Sequence, residues 1–223
     1  MLLGYHIMSE GKIDLVIGLI GDDHILSLFN IQSDDDLNSK FQFIAPSEWK
    51  ETLQLKVKNY GVVGDCTSDL VEKIDGSFLD QALSLDYAII LIGTNDVQLN
   101  VPISEIVKNL KQVLNIMLEN NVPPIFCTLL PLSREDYSQT ITDLNSIMTI
   151  FCAENHIKVV DLNLAFNDGG DKLDEFYDIG DGIHLTRDGY MFLADNLLLR
   201  VREIITEEVE DYQNNHVKTD ENE

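Results

Sequence analysis

The chain has 223 residues, which is enough for one domain with a substantial core. Hydrophobic residues make up 44% of it, as in ordinary soluble proteins. With 39 acidic and 15 basic residues, the formal net charge of −24 repels nucleic-acid backbones and anionic membrane surfaces. We therefore expect neither nucleic acid nor a membrane surface as a partner.

The N-terminal segment and the cysteines bear on where the protein works. Residues 1–11 are predicted to form a loose extension without the basic region of a signal peptide, and no run of eighteen apolar residues occurs. The cysteines Cys66, Cys127 and Cys152 are odd in number and lack metal-ligand spacing, which is typical of reduced thiols. These features predict a cytoplasmic protein.

Five short runs of apolar and β-branched residues alternate with helical or turn-rich segments. This alternation is typical of a parallel sheet that helices cover on both faces, so we predict an α/β fold. The predicted strands are residues 14–20, 53–57, 87–92, 125–130 and 157–162.

Apolar residues at helical spacing predict three helices between and after these strands. The first covers residues 103–118, with Pro102 suited to its first turn. The second covers residues 141–152. Thr186 is expected to cap a last helix that includes residues 193–204.

Two segments have neither the short apolar runs that predict strands nor apolar residues at helical spacing. Residues 31–51, with Trp49, follow the first strand and could overhang the edge of the sheet where ligands bind, but a solvated loop is the simpler expectation. Residues 210–223 form an acidic tail that should be disordered beyond about Tyr212. We predict a single domain over residues 12–209.

Four turns follow predicted strands or precede the last helix, and in a parallel sheet such turns share one edge. Glycine lets a backbone N–H face a ligand, a carboxamide can donate beside it, and a carboxylate three residues before an imidazole can fix its tautomer. Each pattern alone is common, but together they predict a functional site. The turns are Gly21-Asp22-Asp23-His24, residues 59–67 with Gly64, Gly93-Thr94-Asn95-Asp96, and Asp181-Gly182-Ile183-His184.

In this order the turns resemble the sequence blocks of the SGNH or GDSL hydrolase superfamily, over nearly all of residues 12–205. The resemblance implies a flavodoxin-like three-layer α/β/α sandwich with a five-stranded parallel sheet. It also implies a pocket for a small-molecule ester, such as an acyl or acetyl ester. There the Gly64 N–H, the Asn95 side chain and the backbone N–H of Asp23 would donate to an oxyanion. His184 would be the base and Asp181 would orient it.

The first block departs from that pattern, because Asp23 stands where the family has its nucleophilic serine. The next serine, Ser27, does not lie at the end of a strand. A carboxylate is a weak nucleophile toward esters, and it brings negative oxygens into a pocket that binds a developing oxyanion. We expect Asp23 to pair with His184 and to accept hydrogen bonds from Asn95 or Gly64.

Three interpretations are open from the sequence. In the first, the protein is a pseudoenzyme that binds an ester-like ligand without hydrolysing it. In the second, Asp23 or His184 activates a water molecule for altered hydrolysis. In the third, Asp22, Asp23, His24, Asp181 and His184 bind a divalent metal ion. A flavin-binding protein is disfavoured, because no Ser/Thr-rich phosphate loop follows the first strand, and no cofactor is predicted.

Overall fold

A computed structural model describes residues 13–31, 53–76 and 78–220. The predicted N-terminal extension, residues 1–11, lies outside these ranges. So does nearly all of the predicted 31–51 loop, with Trp49.

Five parallel strands form the sheet of the described chain. They are β1 (Ile13–Gly21), β2 (Leu53–Gly61), β3 (Tyr87–Leu91), β4 (Pro124–Cys127) and β5 (Lys158–Val160). Their order in the sheet is β2-β1-β3-β4-β5, and each neighbouring pair is parallel. The predicted five-stranded parallel sheet is confirmed.

Helices flank this sheet on both sides. Because the chain leaves β1 toward β2 in one direction and adds β3, β4 and β5 in the other, right-handed crossovers put the connecting helices on opposite faces. The helices are α1 (Asp23–Ile31), α2 (Thr67–Ile74), α3 (Leu79–Ala82), α4 (Thr94–Gln98), α5 (Ile103–Glu119), α6 (Glu135–Glu154), α7 (Leu162–Phe166) and α8 (Arg187–Asp220).

The contacts between helices follow this division into two layers. α1 packs against α8, whereas α5 packs against α2 and α6. Between the layers, all five residues of β3 are buried, as expected for a central strand that is covered on both faces. The fold is the three-layer α/β/α sandwich that the sequence predicted.

Strand β2 extends four residues beyond its predicted end at Val57. It pairs with β1 over its whole length, from Ile13 opposite Leu53 to Gly21 opposite Gly61. The sequence pattern of Asn59 and Tyr60 suggested a turn, but the long neighbouring strand supplies hydrogen-bonding partners that keep them in the sheet. The second predicted turn therefore begins only after Gly61.

Helix α1 begins at Asp23, directly after β1, where the sequence predicted only a turn. Gly21 makes this sharp change of direction possible. A Cβ atom at Gly21 would lie 2.0 Å from the Leu91 carbonyl oxygen, and one at Gly61 would lie 2.4 Å from the Leu26 nitrogen. The backbones around Asp23 therefore approach more closely than any side chain would allow.

Helix α8 begins after Thr186, whose Oγ1 accepts the Gly189 N–H at 3.0 Å, so the predicted cap is confirmed. The helix continues to Asp220, which differs from the predicted disorder beyond Tyr212. Glutamate and other straight-chain residues favour continuation of a helix that has already formed. The domain boundary at residue 209 stays a prediction. None of the helices within the described ranges is long and apolar enough to cross a membrane.

Replacement of Gly21 by alanine tests the close approach of β1 to β3. We expect Gly21→Ala to lower the free energy of unfolding by about 2 kcal/mol, because the backbone of Leu91 must move to admit the methyl group. Urea unfolding of Gly21→Ala and of the control Gly170→Ala measures this, since a Cβ at Gly170 has its nearest contact at 3.4 Å. Equal losses in the two variants would contradict the packing described.

Candidate active site

The predicted site residues lie at one end of the fold. Asp23 opens α1 directly after β1, Gly64 follows β2 by three residues, and Asn95 lies in α4 after β3. Asp181 and His184 lie in the turn that precedes α8. The carboxyl ends of neighbouring parallel strands thus bring Asp23 together with Gly64 and Asn95, which are 41 and 72 positions away in the chain.

Asp23 is bound by the two groups that were predicted to hold an oxyanion. Its Oδ2 accepts the Gly64 N–H at 3.0 Å and the Asn95 Nδ2 at 3.1 Å. Desolvation opposes ionisation of Asp23, but these two donors and the nearby His184 hold the pKa of its carboxyl below the usual value. Asp23 is therefore a carboxylate at neutral pH and occupies both donors.

The Gly64 N–H reaches Asp23 because of the backbone conformation of its turn. Gly64 has φ +78°, a left-handed conformation that glycine adopts without strain, and a Cβ there would meet nothing within 4 Å. An ion pair between Lys73 and Asp65 anchors the next residue of the turn. Glycine is therefore favoured here because the left-handed conformation directs its N–H toward Asp23, and not because a side chain would lack space.

Asp96 connects the Asn95 turn to the Gly64 turn. Its two carboxylate oxygens accept the Thr67 N–H at 2.8 Å and the Thr67 hydroxyl at 2.7 Å. Asp96 is buried, and this pairing satisfies a carboxylate that would otherwise be costly to bury. The link ties α4 to the start of α2, which fixes Asn95 relative to Gly64.

Asp181 and His184 form the predicted carboxylate–imidazole pair. The Asp181 Oδ2 lies 2.6 Å from the His184 Nδ1, and its Oδ1 accepts the backbone N–H groups of Ile183 at 2.9 Å and His184 at 2.8 Å. Desolvation opposes ionisation, but these donors hold the pKa of Asp181 below its usual value. Asp181 is thus an anchored acceptor that favours the His184 tautomer with a proton on Nδ1.

The expected pair between Asp23 and His184 is not formed. Among the described residues, the ion pair of the His184 side chain is with Asp181, and the Asp23 hydrogen bonds run to Gly64 and Asn95. His184 acts on Asp23 only through its charge. The sequence could not give this outcome, because it depends on a separation of a few ångströms between two packed elements.

Asp22 and His24 flank Asp23, and their burial was not predicted. Each is 1% exposed. Burial raises the pKa of Asp22 to about 7, and burial with the charge of His184 lowers the pKa of His24 to about 4. Within the described chain, the Asp22 Oδ2 and the His24 Nδ1 have no hydrogen-bond partner. Near neutral pH, His24 is uncharged and a large fraction of Asp22 is protonated.

The described residues do not support the metal-site interpretation. In residues 13–31, 53–76 and 78–220, no group of three or more His, Cys, Asp or Glu side chains could hold a metal ion. Asp22 accepts the His24 N–H at 3.1 Å, and Asp181 is bound to His184. Asp22 Oδ1, Asp23 Oδ2 and both oxygens of Asp181 therefore accept hydrogen bonds from different partners and do not converge on one point.

Cys66, in the second predicted turn, is not placed for nucleophilic chemistry. It is buried, and desolvation together with the carboxylates of Asp96, Asp69 and Asp65 raises its pKa to about 11. Its sulfur is therefore a thiol at neutral pH. All three cysteines are free, as the sequence predicted.

Comparison with known proteins shows which family this chain resembles. A family model described as "GDSL-like Lipase/Acylhydrolase family" matches residues 31–192. These residues include Gly64, Asn95, Asp181 and His184 and begin after Asp23. Among curated proteins, an N-acylneuraminate cytidylyltransferase from Streptococcus agalactiae is 27% identical over 150 residues, which are 66% of this chain and 35% of that protein. The chain therefore matches about a third of that relative's length.

Solved structures share the fold. A lipase/acylhydrolase from Enterococcus faecalis superposes with a TM-score of 0.67 at 20% identity, over 85% of this chain and 96% of that chain. A catalytic mutant of an acetylxylan esterase from Geobacillus stearothermophilus superposes with a TM-score of 0.65 at 18% identity, over the same shares of the two chains. These similarities concern the arrangement of the backbone.

Replacement of Asp22 by asparagine tests its buried, protonated state. The folded protein holds a proton on Asp22 up to pH about 7, whereas the unfolded chain releases it near the ordinary Asp pKa of 3.8. This stabilising contribution is complete below the unfolded pKa and is lost as pH rises through the folded pKa. We expect Asp22→Asn to gain about 3 kcal/mol in unfolding free energy, relative to wild type, between about pH 5 and about pH 8.

Urea unfolding of both proteins at the two pH values measures this gain, and the contribution of His24 cancels because both proteins contain it. Asp80→Asn is the control, since Asp80 is exposed and solvent hydrates its ionised form. An equal pH dependence in the two variants would show that Asp22 is not buried as described.

Proposed function

The chain belongs to the GDSL-like lipase/acylhydrolase family, and on that premise we propose that Asp23 stands at the nucleophile position of a site that binds an ester-like small molecule without ordinary serine-type hydrolysis. The observation that carries this proposal is the pair of hydrogen bonds from Gly64 and Asn95 to Asp23 Oδ2. The protein is then a hydrolase-fold pseudoenzyme.

The geometry of these bonds supports self-occupation of the oxyanion site. Donors that stabilise an oxyanion lie about 2.7–3.1 Å from the position that it will take. The two donors lie 3.0 and 3.1 Å from Asp23 Oδ2. Charge-assisted hydrogen bonds are stronger than those to a neutral carbonyl, so an ester carbonyl competes poorly with Asp23 for the same donors.

The chemistry of a carboxylate supports the same conclusion. Attack of Asp23 on an acyl carbon would break the ester C–O bond, release an alkoxide and leave a mixed anhydride on the protein. Serine avoids this product, because the base takes its proton as it attacks and a simple ester forms. The lowered pKa of Asp23 also marks it as a weak base and a weak nucleophile.

The retained pair of Asp181 and His184 suggests a second candidate, hydrolysis by activated water. The specific observation is the 2.6 Å contact at Nδ1, which leaves Nε2 of His184 as the ring nitrogen able to take a proton. In this scheme His184 accepts a proton from water, the hydroxide adds to the acyl carbon, and the alcohol leaves with the proton. The two candidates differ in whether the wild type turns over esters.

The names of similar proteins suggest a ligand class to test. One relative is named for an N-acylneuraminate, and one structural neighbour is an acetylxylan esterase. Both names refer to sugars that bear acyl groups. We therefore propose an acylated carbohydrate as the first class of ligand, with a p-nitrophenyl ester of a short acid as the general probe.

Restoration of serine tests the assignment of Asp23. We expect Asp23→Ser to hydrolyse p-nitrophenyl acetate at least about 100-fold faster than Asp23→Ala, because His184 can then act as a general base on the hydroxyl. The two variants both free the Gly64 and Asn95 donors and differ by one oxygen atom. Equal rates in folded Asp23→Ser and Asp23→Ala would show that position 23 is not the nucleophile position.

Loss of His184 separates the two candidate functions. In the pseudoenzyme, the wild type and His184→Ala hydrolyse p-nitrophenyl acetate at the same background rate. Ester turnover by the wild type that disappears in His184→Ala would reject the pseudoenzyme and establish the water-activating candidate. Release of p-nitrophenolate measures the rates, and circular dichroism confirms that each variant is folded.

A further inference from the structure

The pair of Asp181 and His184 lies in a backbone loop whose two ends are joined. Asp178 and Leu185 face each other in an antiparallel bridge. Next to this bridge, the Ile179 N–H donates to the His184 carbonyl oxygen at 3.1 Å. The ends of the loop are therefore fixed to each other, and the conformation between them decides where the Asp181 carboxylate points.

Glycine flanks Asp181 on both sides within this loop. Gly180 has φ +102° and Gly182 has φ +76°, conformations that residues with a side chain rarely adopt. Glycine also has more backbone freedom than any other residue, and a Cβ at Gly180 would meet nothing within 4 Å. Packing therefore does not restrict Gly180, and the peptide groups before Asp181 need hydrogen bonds to hold them in one conformation.

The Asp178 carboxylate accepts hydrogen bonds from both of these glycines. Its Oδ1 accepts the Gly180 N–H at 2.7 Å and the Gly182 N–H at 3.0 Å. One oxygen atom thus binds the amides of the residues immediately before and immediately after Asp181. Hydrogen bonds to an ionised acceptor are stronger than those between neutral groups, so Asp178 restricts the backbone on both sides of Asp181.

Gly182 is also attached to the body of the domain. The Ser133 N–H donates to the Gly182 carbonyl oxygen at 2.9 Å, and a Cβ at Gly182 would lie 3.1 Å from the Ser133 Cβ. Gly182 is therefore held by packing and by a backbone hydrogen bond. Through its Oδ1, Asp178 connects the unpacked Gly180 to this anchored residue across Asp181.

We propose that Asp178 is a positioning residue that keeps the Asp181 carboxylate on Nδ1 of His184. With both flanking amides bound, the Asp181 Oδ2 lies 2.6 Å from Nδ1, which favours the Nδ1–H tautomer and leaves Nε2 as the acceptor. Without Asp178, the glycines release Asp181 and the tautomer is no longer fixed. The inference rests on the proposed function, because this pair belongs to the proposed site, but its test reads the tautomer and not hydrolysis.

The chain offers a matched control for Asp178. The Asp168 Oδ1 accepts the Gly170 N–H at 2.7 Å and the Lys172 N–H at 3.1 Å. Asp168 therefore binds the amides two and four residues further along the chain, as Asp178 does. Its turn contains neither Asp181 nor His184, so loss of its carboxylate loosens a similar turn without touching the pair.

The test compares Asp178→Ala, which removes both acceptors, with Asp178→Asn, which keeps Oδ1 and removes the charge. The readouts are the ¹⁵N NMR signals of the two His184 ring nitrogens, which differ between a protonated and an unprotonated nitrogen. They are recorded at about pH 9, well above the usual histidine pKa of about 6.5. Asp181→Ala provides the signal positions when no carboxylate is bound to Nδ1.

We expect Asp178→Ala to move both ring signals toward their positions in Asp181→Ala. Asp178→Asn and Asp168→Ala should keep them near the wild-type positions, because each retains the acceptor for Gly180 and Gly182. A residue that only stabilises the loop would lower the free energy of unfolding without this displacement. Circular dichroism confirms that each variant is folded, and Asp178→Leu is read in the same way if Asp178→Ala does not fold.

Three results would overturn the proposal. Wild-type signals in a folded Asp178→Ala would show that Asp181 needs no help from Asp178. Equal displacement in Asp178→Asn would assign the effect to charge, and equal displacement in Asp168→Ala would assign it to general loosening. Ester hydrolysis by the wild type would instead reject the pseudoenzyme and leave every expected position of the His184 signals unchanged.

Discussion

The pair of hydrogen bonds to Asp23 Oδ2 joins three separate strand ends into one site. Asp23 follows β1, Gly64 follows β2 and Asn95 follows β3, so the bonds can form only when these strands lie side by side and end at a common edge. Hydrogen bonds to a charged group contribute about 1.5–3 kcal/mol each. The site therefore depends on the order of strands β2, β1 and β3 in the sheet and on the Asp23 carboxylate that accepts both hydrogen bonds.

Burial and hydrogen bonding determine which side chains around Asp23 are charged. The Asp23 carboxylate is stabilised by its two donors, and Asp181 is stabilised by His184 and two backbone N–H groups. Within the described chain, the Asp22 Oδ2 and the His24 Nδ1 have no hydrogen-bond partner. Burial raises the pKa of Asp22 and lowers that of His24, and both shifts favour the neutral form. The number of acidic residues in this region therefore overstates the charge that a ligand would meet.

Family membership and the chemistry of the site rest on different residues. The match to the GDSL-like lipase/acylhydrolase family covers residues 31–192, which include Gly64, Asn95, Asp181 and His184. Asp23, which we propose stands at the nucleophile position, lies before the matched range. Membership of a fold family therefore does not by itself determine the chemistry at position 23.

The amino-acid sequence by itself determined the sheet, the helices α5, α6 and α8, and the grouping of Asp23 with Gly64 and Asn95. Apolar runs and helical spacing are local patterns, and residues that follow parallel strands must share an edge. Only the tertiary structure decided that His184 does not pair with Asp23 and that Asp22 and His24 are buried. Those outcomes depend on how α1 packs against α8, where shifts of a few ångströms change which charges meet and which lose water.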